Sequence, residues 1–179
     1  MTSPCKEHPP GDAWVHLREP AARDRGPVAS VLVSTGFFSD AEVAVALEVF
    51  DAALQGKDSG YEHLVAESAG RVIGYVCWGG PIEMTLSSFD LYWIAVDAAA
   101  RGRGVGHRLL AAAESLAAAS GCAQLFAETS GRADYAPTHS FYESCGYLRA
   151  AELADFYAPG DAKVFYVKRL TGGNQAPPE

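Results

Sequence analysis

The sequence FDLYWIAVDAAARGRGVGHRLLAAAESLAA spans residues 89–118 and combines the patterns of a strand, a glycine-rich turn and a helix. It opens with an apolar, aromatic-rich run at residues 91–96, which Asp97 ends, as is typical of a buried strand. It closes with apolar residues at helical spacing over residues 109–117, where many alanines favour close packing on a sheet. Residues 101–106 form the turn between the two.

The turn contains three glycines, at positions 102, 104 and 106. Without side chains, glycines allow a tight turn and let main-chain N–H groups approach a ligand closely. The start of the following helix adds N–H groups without intrahelical partners and the positive end of the helix dipole. Arg101, Arg103 and Arg108 add cationic donors that suit phosphate oxygens. The turn is therefore predicted to bind a phosphate group.

Two common phosphate-binding motifs do not fit this turn. An NTPase loop closes with Gly-Lys-Ser/Thr, whereas a His-Arg pair follows Gly106, and a dinucleotide fingerprint needs Gly-x-Gly-x-x-Gly. The arrangement Arg-x-x-Gly-x-Gly after a strand ending in Val-Asp instead resembles the acetyl-CoA pyrophosphate loop of the GNAT superfamily of N-acetyltransferases. Arg101, Gly104 and Gly106 carry this resemblance.

A second segment supports the resemblance. The run SFYESCGY at residues 140–147 is similar to the GNAT signature A-x-x-F-Y-x-x-x-G-F, with Ser140 near the usual alanine and Tyr147 in place of phenylalanine. The resemblance covers roughly residues 14–170 as an order of elements. It implies an α/β (α+β) fold: a mixed central sheet of about six to seven strands, helices on both faces, and a splayed parallel pair in the centre.

Patterns elsewhere in the chain predict the remaining elements. A capping box at Ser39–Glu42 opens a helix, and a strand, crossover helix and strand in the central region predict a parallel pair. Residues 14–170 are expected to form a single domain, with a flexible N-terminus at 1–13 and a disordered tail at 171–179. The predicted strands are 14–18, 63–67, 72–78, 91–96, 123–129, 147–153 and 163–170, and helices are predicted around 28–33 and over 138–145.

Composition limits the classes of function. The chain has 179 residues, 49% of them apolar, and a formal charge of −8, which excludes a typical nucleic-acid binder and is compatible with a cationic amine substrate. No apolar run is long enough to span a bilayer and no signal peptide is visible, so a cytoplasmic protein without a membrane partner is expected. The cysteines, Cys5, Cys77, Cys122 and Cys145, lack metal-like spacing and are predicted to be free thiols, with no metal site.

Acetyl transfer to an amine makes three chemical demands. The ammonium must lose its proton, the tetrahedral oxyanion needs hydrogen-bond donors, and the departing thiolate benefits from protonation. The resemblance implies that Tyr142 protonates the thiolate and that main-chain groups near Ile94 and Val96 meet the thioester carbonyl. The residues expected to contact acetyl-CoA are Ile94, Ala95, Val96, Arg101, Gly102, Arg103, Gly104, Val105, Gly106, His107 and Tyr142.

The general base is left open between carboxylates. Asp90 occupies a position where family members often carry a carboxylate, and strand alternation predicts that it shares a face with Tyr92 and Ile94. Glu128 on the next strand and Glu83 in the preceding loop are alternatives. His139 is a further candidate, but it sits in the first turn of a predicted helix, where exposure explains it equally well.

The resulting hypothesis is an N-acetyltransferase that moves an acetyl group from acetyl-CoA to a primary amine of a small molecule or peptide, by direct attack in a ternary complex. Glu83, Glu128 and Asp134 favour a cationic small-molecule acceptor. The alternative is a non-catalytic acyl-CoA-binding or sensing module on the same fold. A homodimer is compatible with either hypothesis.

Overall fold

The computed structural model describes residues 14–56 and 59–170, so the predictions for residues 1–13 and 171–179 lie outside the described residues. A seven-stranded sheet with the order β1-β2-β3-β4-β5-β7-β6 forms the centre. Its strands are β1 (His16–Arg18), β2 (Tyr61–Ser68), β3 (Arg71–Gly79), β4 (Ser88–Val96), β5 (Gln124–Ser130), β6 (Leu148–Ala158) and β7 (Asp161–Arg169). The helices are α1 (Arg25–Ser34), α2 (Asp40–Leu54), α3 (Val105–Ala119) and α4 (Ala136–Ser144).

Helices cover both faces of the sheet, as predicted. On one face, Val28 and Leu32 of α1 and Phe50 of α2 pack against buried side chains of β2 and β3. On the other face, Leu109 of α3 and Tyr142 of α4 belong to a second buried cluster that includes side chains of β3, β4, β5 and β7. Apolar burial on both faces therefore holds β4 and β5 in the middle of the molecule.

The parallel pair β4–β5 is splayed, which confirms the prediction. The two strands pair from Ser88↔Gln124 to Leu91↔Ala127, and the remaining residues of β4 have no partner in β5. Beyond Ala127, β5 has no partner in β4, but it continues to pair with β7 on its other side. Main-chain groups of β4 at residues 92–96 therefore face an opening instead of a neighbouring strand.

A bulge in β4 corrects one prediction about side-chain direction. The register with β3 shifts so that Leu91 lies opposite Trp78 while Trp93 lies opposite Cys77, which leaves Tyr92 as an extra residue. The alternation therefore reverses at Tyr92.

The consequence is that Asp90 and Ile94 do not share a face. Phe89 and Leu91 belong to the cluster under α3, so Asp90 between them points toward the α1–α2 face. Ile94 packs against the same α3 cluster, on the opposite face from Asp90, whereas Trp93 packs with the α1–α2 cluster. The prediction of one shared face for Asp90, Tyr92 and Ile94 was wrong. It assumed strict alternation of side chains along the strand, and an inserted residue breaks that alternation.

The last hairpin is longer than predicted. β6 continues to Ala158, through residues that were expected to be a connection, and pairs with Asp161 across a tight turn. Asp155 adopts a left-handed φ of 55° and its Oδ1 accepts the Gly160 N–H at 2.6 Å. This hydrogen bond ties an irregular stretch into the strand, which composition alone could not show.

Other predictions hold locally. The capping box opens α2: Glu42 N–H donates to Ser39 Oγ at 3.3 Å, and Ser39 N–H donates to Glu42 Oε2 at 2.8 Å. Cys77, Cys122 and Cys145 are free thiols, while Cys5 lies outside the described residues.

In the part of the chain that the structure describes, no helix is long and apolar enough to cross a membrane.

A partly buried ion-pair network fixes the short strand β1. Arg18 donates through Nη1 and Nη2 to the two carboxylate oxygens of Asp24, at 2.6 and 2.9 Å, and through Nη2 to Glu67 at 2.6 Å. Asp24 is only 3% exposed, and its hydrogen bonds with Arg18 lower its pKa to about 2. A carboxyl whose pKa is depressed by folding stabilises the fold above its unfolded pKa, and this contribution is lost as pH falls from about 4 toward 2.

Asp24→Asn is therefore expected to lower the free energy of unfolding by about 2 kcal/mol at neutral pH, measured by urea denaturation. The matched control is Asp51→Asn, which removes an exposed pair with Arg25 at 2.9 Å and is expected to cost less than about 0.5 kcal/mol. The difference between the two variants should shrink as pH falls toward 2. Equal effects at neutral pH would contradict the assignment.

Candidate active site

A cleft of about 1030 Å³ opens where β4 and β5 diverge. Its walls come from β4, the turn before α3 with the first residues of α3, the α1–α2 loop with the start of α2, the end of β5, α4, and the junction of β6 and β7. Most of the predicted site residues line it: Asp90, Ile94, Ala95, Val96, Arg101, Gly102, Gly104, Val105, Gly106, His107, Glu128 and Tyr142. The structure thus brings together residues from four separate elements.

The glycine-rich turn presents main-chain donors to this cleft. Gly102 and Gly104 have left-handed φ values of 71° and 79°, and α3 begins directly after Gly104. The first helical hydrogen bond runs from the Arg108 N–H to the Gly104 carbonyl at 3.1 Å, so the three N–H groups before it have no intrahelical acceptor. A Cβ on Gly106 would lie 3.3 Å from the ring of Phe141, so glycine keeps the gap between α3 and α4 open.

The arginines of the turn differ in their surroundings. Arg101 lines the cleft, donates through Nη2 to the Thr35 carbonyl at 3.0 Å and lies 5.5 Å from the ring centroid of Phe37. Arg103 does not line the cleft, because its guanidinium stacks 3.9 Å from the ring centroid of Trp14. The structure therefore separates Arg103 from the other predicted contacts of acetyl-CoA.

The α1–α2 loop closes the cleft from the opposite side. Tyr135 donates its hydroxyl to the Phe37 carbonyl at 3.1 Å, and the two rings lie 4.9 Å apart. Together with the Arg101 contact to Thr35, this holds the loop between the turn before α3 and the segment after β5. Sequence reasoning missed these aromatic walls, since no local pattern reports a contact between residues almost a hundred positions apart.

Tyr142 sits at the end of the cleft near α4. Its side chain is buried in an aromatic cluster, stacked on Tyr166 at 5.3 Å and 5.4 Å from the ring of Tyr147. Burial raises the pKa of the Tyr142 hydroxyl well above its usual value, with smaller contributions from Cys145 and Tyr166. The hydroxyl therefore keeps its proton at neutral pH and is available as a hydrogen-bond donor.

Asp90 is half-buried on the side of the cleft formed by α1 and α2, one residue before the last β4–β5 pair. Burial raises its pKa, the charge of Glu128 raises it further, and Lys163 acts in the opposite direction. Within the described ranges its carboxylate makes no hydrogen bond and no ion pair. It is thus a carboxylate with free acceptor capacity beside the unpaired backbone of β4.

The other candidate bases are less available. Glu128 lines the cleft but forms an ion pair with Lys163, whereas Glu83 is exposed in the loop before β4 and does not line the cleft. His139 Nε2 lies 2.8 Å from the Ser130 carbonyl and is not part of the cleft wall. The geometry therefore favours Asp90 among the carboxylates considered from the sequence.

Two acidic side chains of the cleft were not anticipated. Glu42 reaches it from the first turn of α2, and Asp161 reaches it from the start of β7, where Ser130 Oγ donates to it at 2.5 Å. Asp134, expected on the acceptor side, does not line the cleft, but its ion-pair partner Arg132 does. The capping box at Glu42 was visible in the sequence, but its position beside the cleft follows only from the packing of α2. In the described part of the chain, no group of three or more His, Cys, Asp or Glu could hold a metal ion.

Comparisons with known proteins agree with this geometry. A family model described as an acetyltransferase (GNAT) domain matches residues 59–149. Blasticidin-S acetyltransferase from Streptomyces morookaense is 41% identical over 106 residues, which are 58% of this chain and 68% of the relative. A structure assigned to the GNAT acetyltransferases from Desulfovibrio desulfuricans superposes with a TM-score of 0.84 at 39% identity, covering 88% of this chain and 99% of that one.

A more distant structure shows the same fold with its cofactor. The acetyltransferase yncA from Salmonella typhimurium with acetyl-CoA has a TM-score of 0.72 at 18% identity and covers 92% of this chain and 98% of that one. At this identity the likeness concerns the fold alone. The match nevertheless covers most of this chain.

Proposed function

The chain belongs to the GNAT family of acetyl-CoA-dependent N-acetyltransferases, and from this premise we propose that its acceptor is the primary amine of a small cationic molecule. The observation that carries the proposal is the unpartnered, half-buried carboxylate of Asp90 on the α1–α2 side of the cleft. A carboxylate there attracts an ammonium ion and can accept its proton. Glu42 adds an acidic group to the same cleft, and so does Asp161, which is paired there with Arg132.

The donor side of the cleft fits acetyl-CoA. The unpaired N–H groups at the start of α3 and the positive end of its dipole suit a pyrophosphate. Main-chain groups of β4 at residues 92–96, which have no β5 partner, are available to the pantetheine arm and to the thioester carbonyl. An N–H group there would stabilise the oxyanion of the tetrahedral intermediate.

The proposed reaction is direct attack in a ternary complex. Asp90 takes a proton from the bound ammonium, either directly or through water, and the freed nitrogen attacks the thioester carbon. An N–C bond forms, the nitrogen of the tetrahedral intermediate loses its second proton to solvent, the C–S bond breaks, and Tyr142 donates its proton to the departing thiolate. The products are the acetylated amine and CoA, and the proton balance is completed when Asp90 and Tyr142 return to their starting states through solvent.

The test is thiol release from acetyl-CoA over a panel of amines, with calorimetry to measure acetyl-CoA binding. The panel should include blasticidin S, the named acceptor of the curated relative, together with polyamines, amino acids and a peptide N-terminus. We expect turnover to be fastest with a cationic small amine. Fast turnover only with neutral amines or peptides would contradict the acceptor class, and tight acetyl-CoA binding without any turnover would favour a non-catalytic binding module.

Removing the hydroxyl of Tyr142 tests the proposed acid. Tyr142→Phe is expected to lower kcat about 10- to 100-fold while the KM for acetyl-CoA changes little, because only proton donation to the thiolate is lost. Tyr147→Phe is the matched control: it removes a hydroxyl from the same aromatic cluster, but Tyr147 does not line the cleft. A Tyr142→Phe variant with full kcat across the pH range would remove the assignment.

A further inference from the structure

The two edges of the sheet differ in how they are exposed. At one edge, β1 has three residues, and its Arg18 is held in the ion-pair network with Asp24 and Glu67. At the other edge, β6 has 11 residues, and all of them are exposed. A long exposed edge strand offers unpaired main-chain donors and acceptors to another strand, and proteins usually shorten or block such an edge. No proline occurs within β6.

The exposed strand also carries apolar side chains. Leu148 is 72% exposed, Leu153 is 47% exposed and Phe156 is 52% exposed, while Tyr157, which also lines the cleft, is 50% exposed. Leu148 and Leu153 lie opposite Val167 and Lys163 of β7, on the face that neither α3 nor α4 covers. Contiguous exposed apolar groups on an unpaired edge are typical of a surface that is covered by another chain.

The sequence of β6 is complementary to itself when read in the opposite direction. Residues 148–153 read Leu-Arg-Ala-Ala-Glu-Leu, so an antiparallel pair of two copies, centred between Ala150 and Ala151, places Arg149 opposite Glu152. The same register places leucine opposite leucine at both ends and alanine opposite alanine at the axis. Directly opposed residues in an antiparallel pair lie about 5 Å apart, which is within reach of an ion pair.

A bulge in β6 brings the two charged residues of this pattern onto the same face of the sheet. The register with β7 shifts between Arg149 and Ala151, so Arg149 and Glu152 point to the same face and already form an ion pair within the chain, at 2.5 Å. A bulge discourages pairing with an arbitrary strand. Two copies related by a twofold axis carry the same bulge at matching positions, and the small alanines at the axis allow the backbones to approach.

From these observations we propose that β6 pairs antiparallel with β6 of a second copy, joining the two sheets into one across a twofold axis. A second copy fits this edge because an isologous interface needs a self-complementary surface, and residues 148–153 provide one. Four charges, Arg149 and Glu152 of each copy, form an alternating cluster on one face of the joined sheet. The exposed leucines meet on the other face. This proposal does not depend on the identity of the acceptor amine.

Charge reversal tests both the interface and its register. The full chain should sediment as a dimer in a concentration series from about 1 to about 100 μM. Arg149→Glu places two acidic residues opposite each other, and Glu152→Arg places two basic residues opposite each other. Each single variant is therefore expected to raise the dimer dissociation constant at least about tenfold.

Two further samples distinguish the register from a general surface effect. Mixing the Arg149→Glu and Glu152→Arg variants pairs an acidic strand with a basic one, and the double variant R149E/E152R exchanges the charges within one chain. Both are expected to restore the dimer. Neither position lines the cleft, so thiol release should stay close to wild type in every variant.

The outcomes are decisive in each direction. Monomeric single variants together with a restored mixture would support the paired β6 strands. A wild-type chain that stays monomeric over the whole concentration series would overturn the proposal. A dimer that neither reversal weakens would place the interface elsewhere, and a mixture that stays monomeric would refute the register.

Discussion

Asp90→Asn is expected to lower kcat/KM at neutral pH by about 100-fold, because the amide cannot accept the proton of the bound ammonium. The substitution keeps the size and shape of the side chain, so acetyl-CoA binding measured by calorimetry should be unchanged. Steady-state thiol release with the best amine of the panel provides the measurement. A loss smaller than about threefold would show that Asp90 is not the base.

The pH profile and a matched control sharpen this test. The pKa of Asp90 is raised mainly by burial, so the wild-type acid limb should fall above the usual carboxyl range, and Asp90→Asn should abolish that limb. Glu128→Gln is the control, since Glu128 lies in the same cleft but is paired with Lys163. We expect it to lower kcat/KM only a few-fold. The opposite ranking of the two variants would assign the base to Glu128.

Stability should change in the opposite direction from activity. A carboxyl whose pKa is raised on folding is less favourable in its ionised form in the folded state, so it destabilises the fold increasingly as pH rises through the interval between its unfolded and folded pKa values. Asp90→Asn should therefore raise the melting temperature at neutral pH and have less effect at pH 3. A merely structural role would lower stability and activity together.

Gly104→Ala is expected to weaken acetyl-CoA binding about tenfold or more. Gly104 has a φ of 79°, which costs about 1–2 kcal/mol for a residue with a Cβ. A Cβ there would meet no atom within 4 Å, so the whole effect comes from the backbone conformation. Relaxation of that strain would move the N–H groups at the start of α3, and calorimetry with acetyl-CoA would measure the loss.

The opposite end of α3 supplies the control. Gly121 has a φ of 93°, and a Cβ there would also meet no atom within 4 Å, but this glycine lies outside the cleft. Gly121→Ala should therefore lower stability by a similar amount without changing the affinity for acetyl-CoA. A similar loss of affinity in both variants would indicate that general stability, and not the geometry of the turn, controls binding.

Local patterns indicated the strand, turn and helix that line one side of the cleft, and their contacts with acetyl-CoA stay a prediction. The glycines of the turn, the start of α3 and the strand before it are contiguous in sequence, so their spacing alone indicates how they meet. The Arg103 contact with Trp14 escaped this reasoning, because the partner comes from the start of the described chain. The sequence showed the charge of Arg103 and the spacing of the turn, but it did not show that the guanidinium would stack on the ring of Trp14.

The acceptor side could not be predicted to the same extent. The bulge at Tyr92 reverses the direction of every later side chain in β4, and no alternation pattern distinguishes an inserted residue from an ordinary one. Asp161 and Phe37 reach the cleft from elements far apart in sequence, through the pairing of β7 and through the contact with Tyr135. Such contacts depend on tertiary packing, which a single sequence does not encode in its local periodicity.

The divergence of β4 from β5 has an evolutionary consequence. The opening it creates is bordered on one side by main-chain atoms, which are the same whatever residue type occupies residues 92–96, except that proline would remove an N–H. The opposite border consists of exchangeable side chains such as Asp90 and Phe37. Mutations can therefore retune which nitrogen compounds are modified while the capture of the acyl carrier is inherited unchanged.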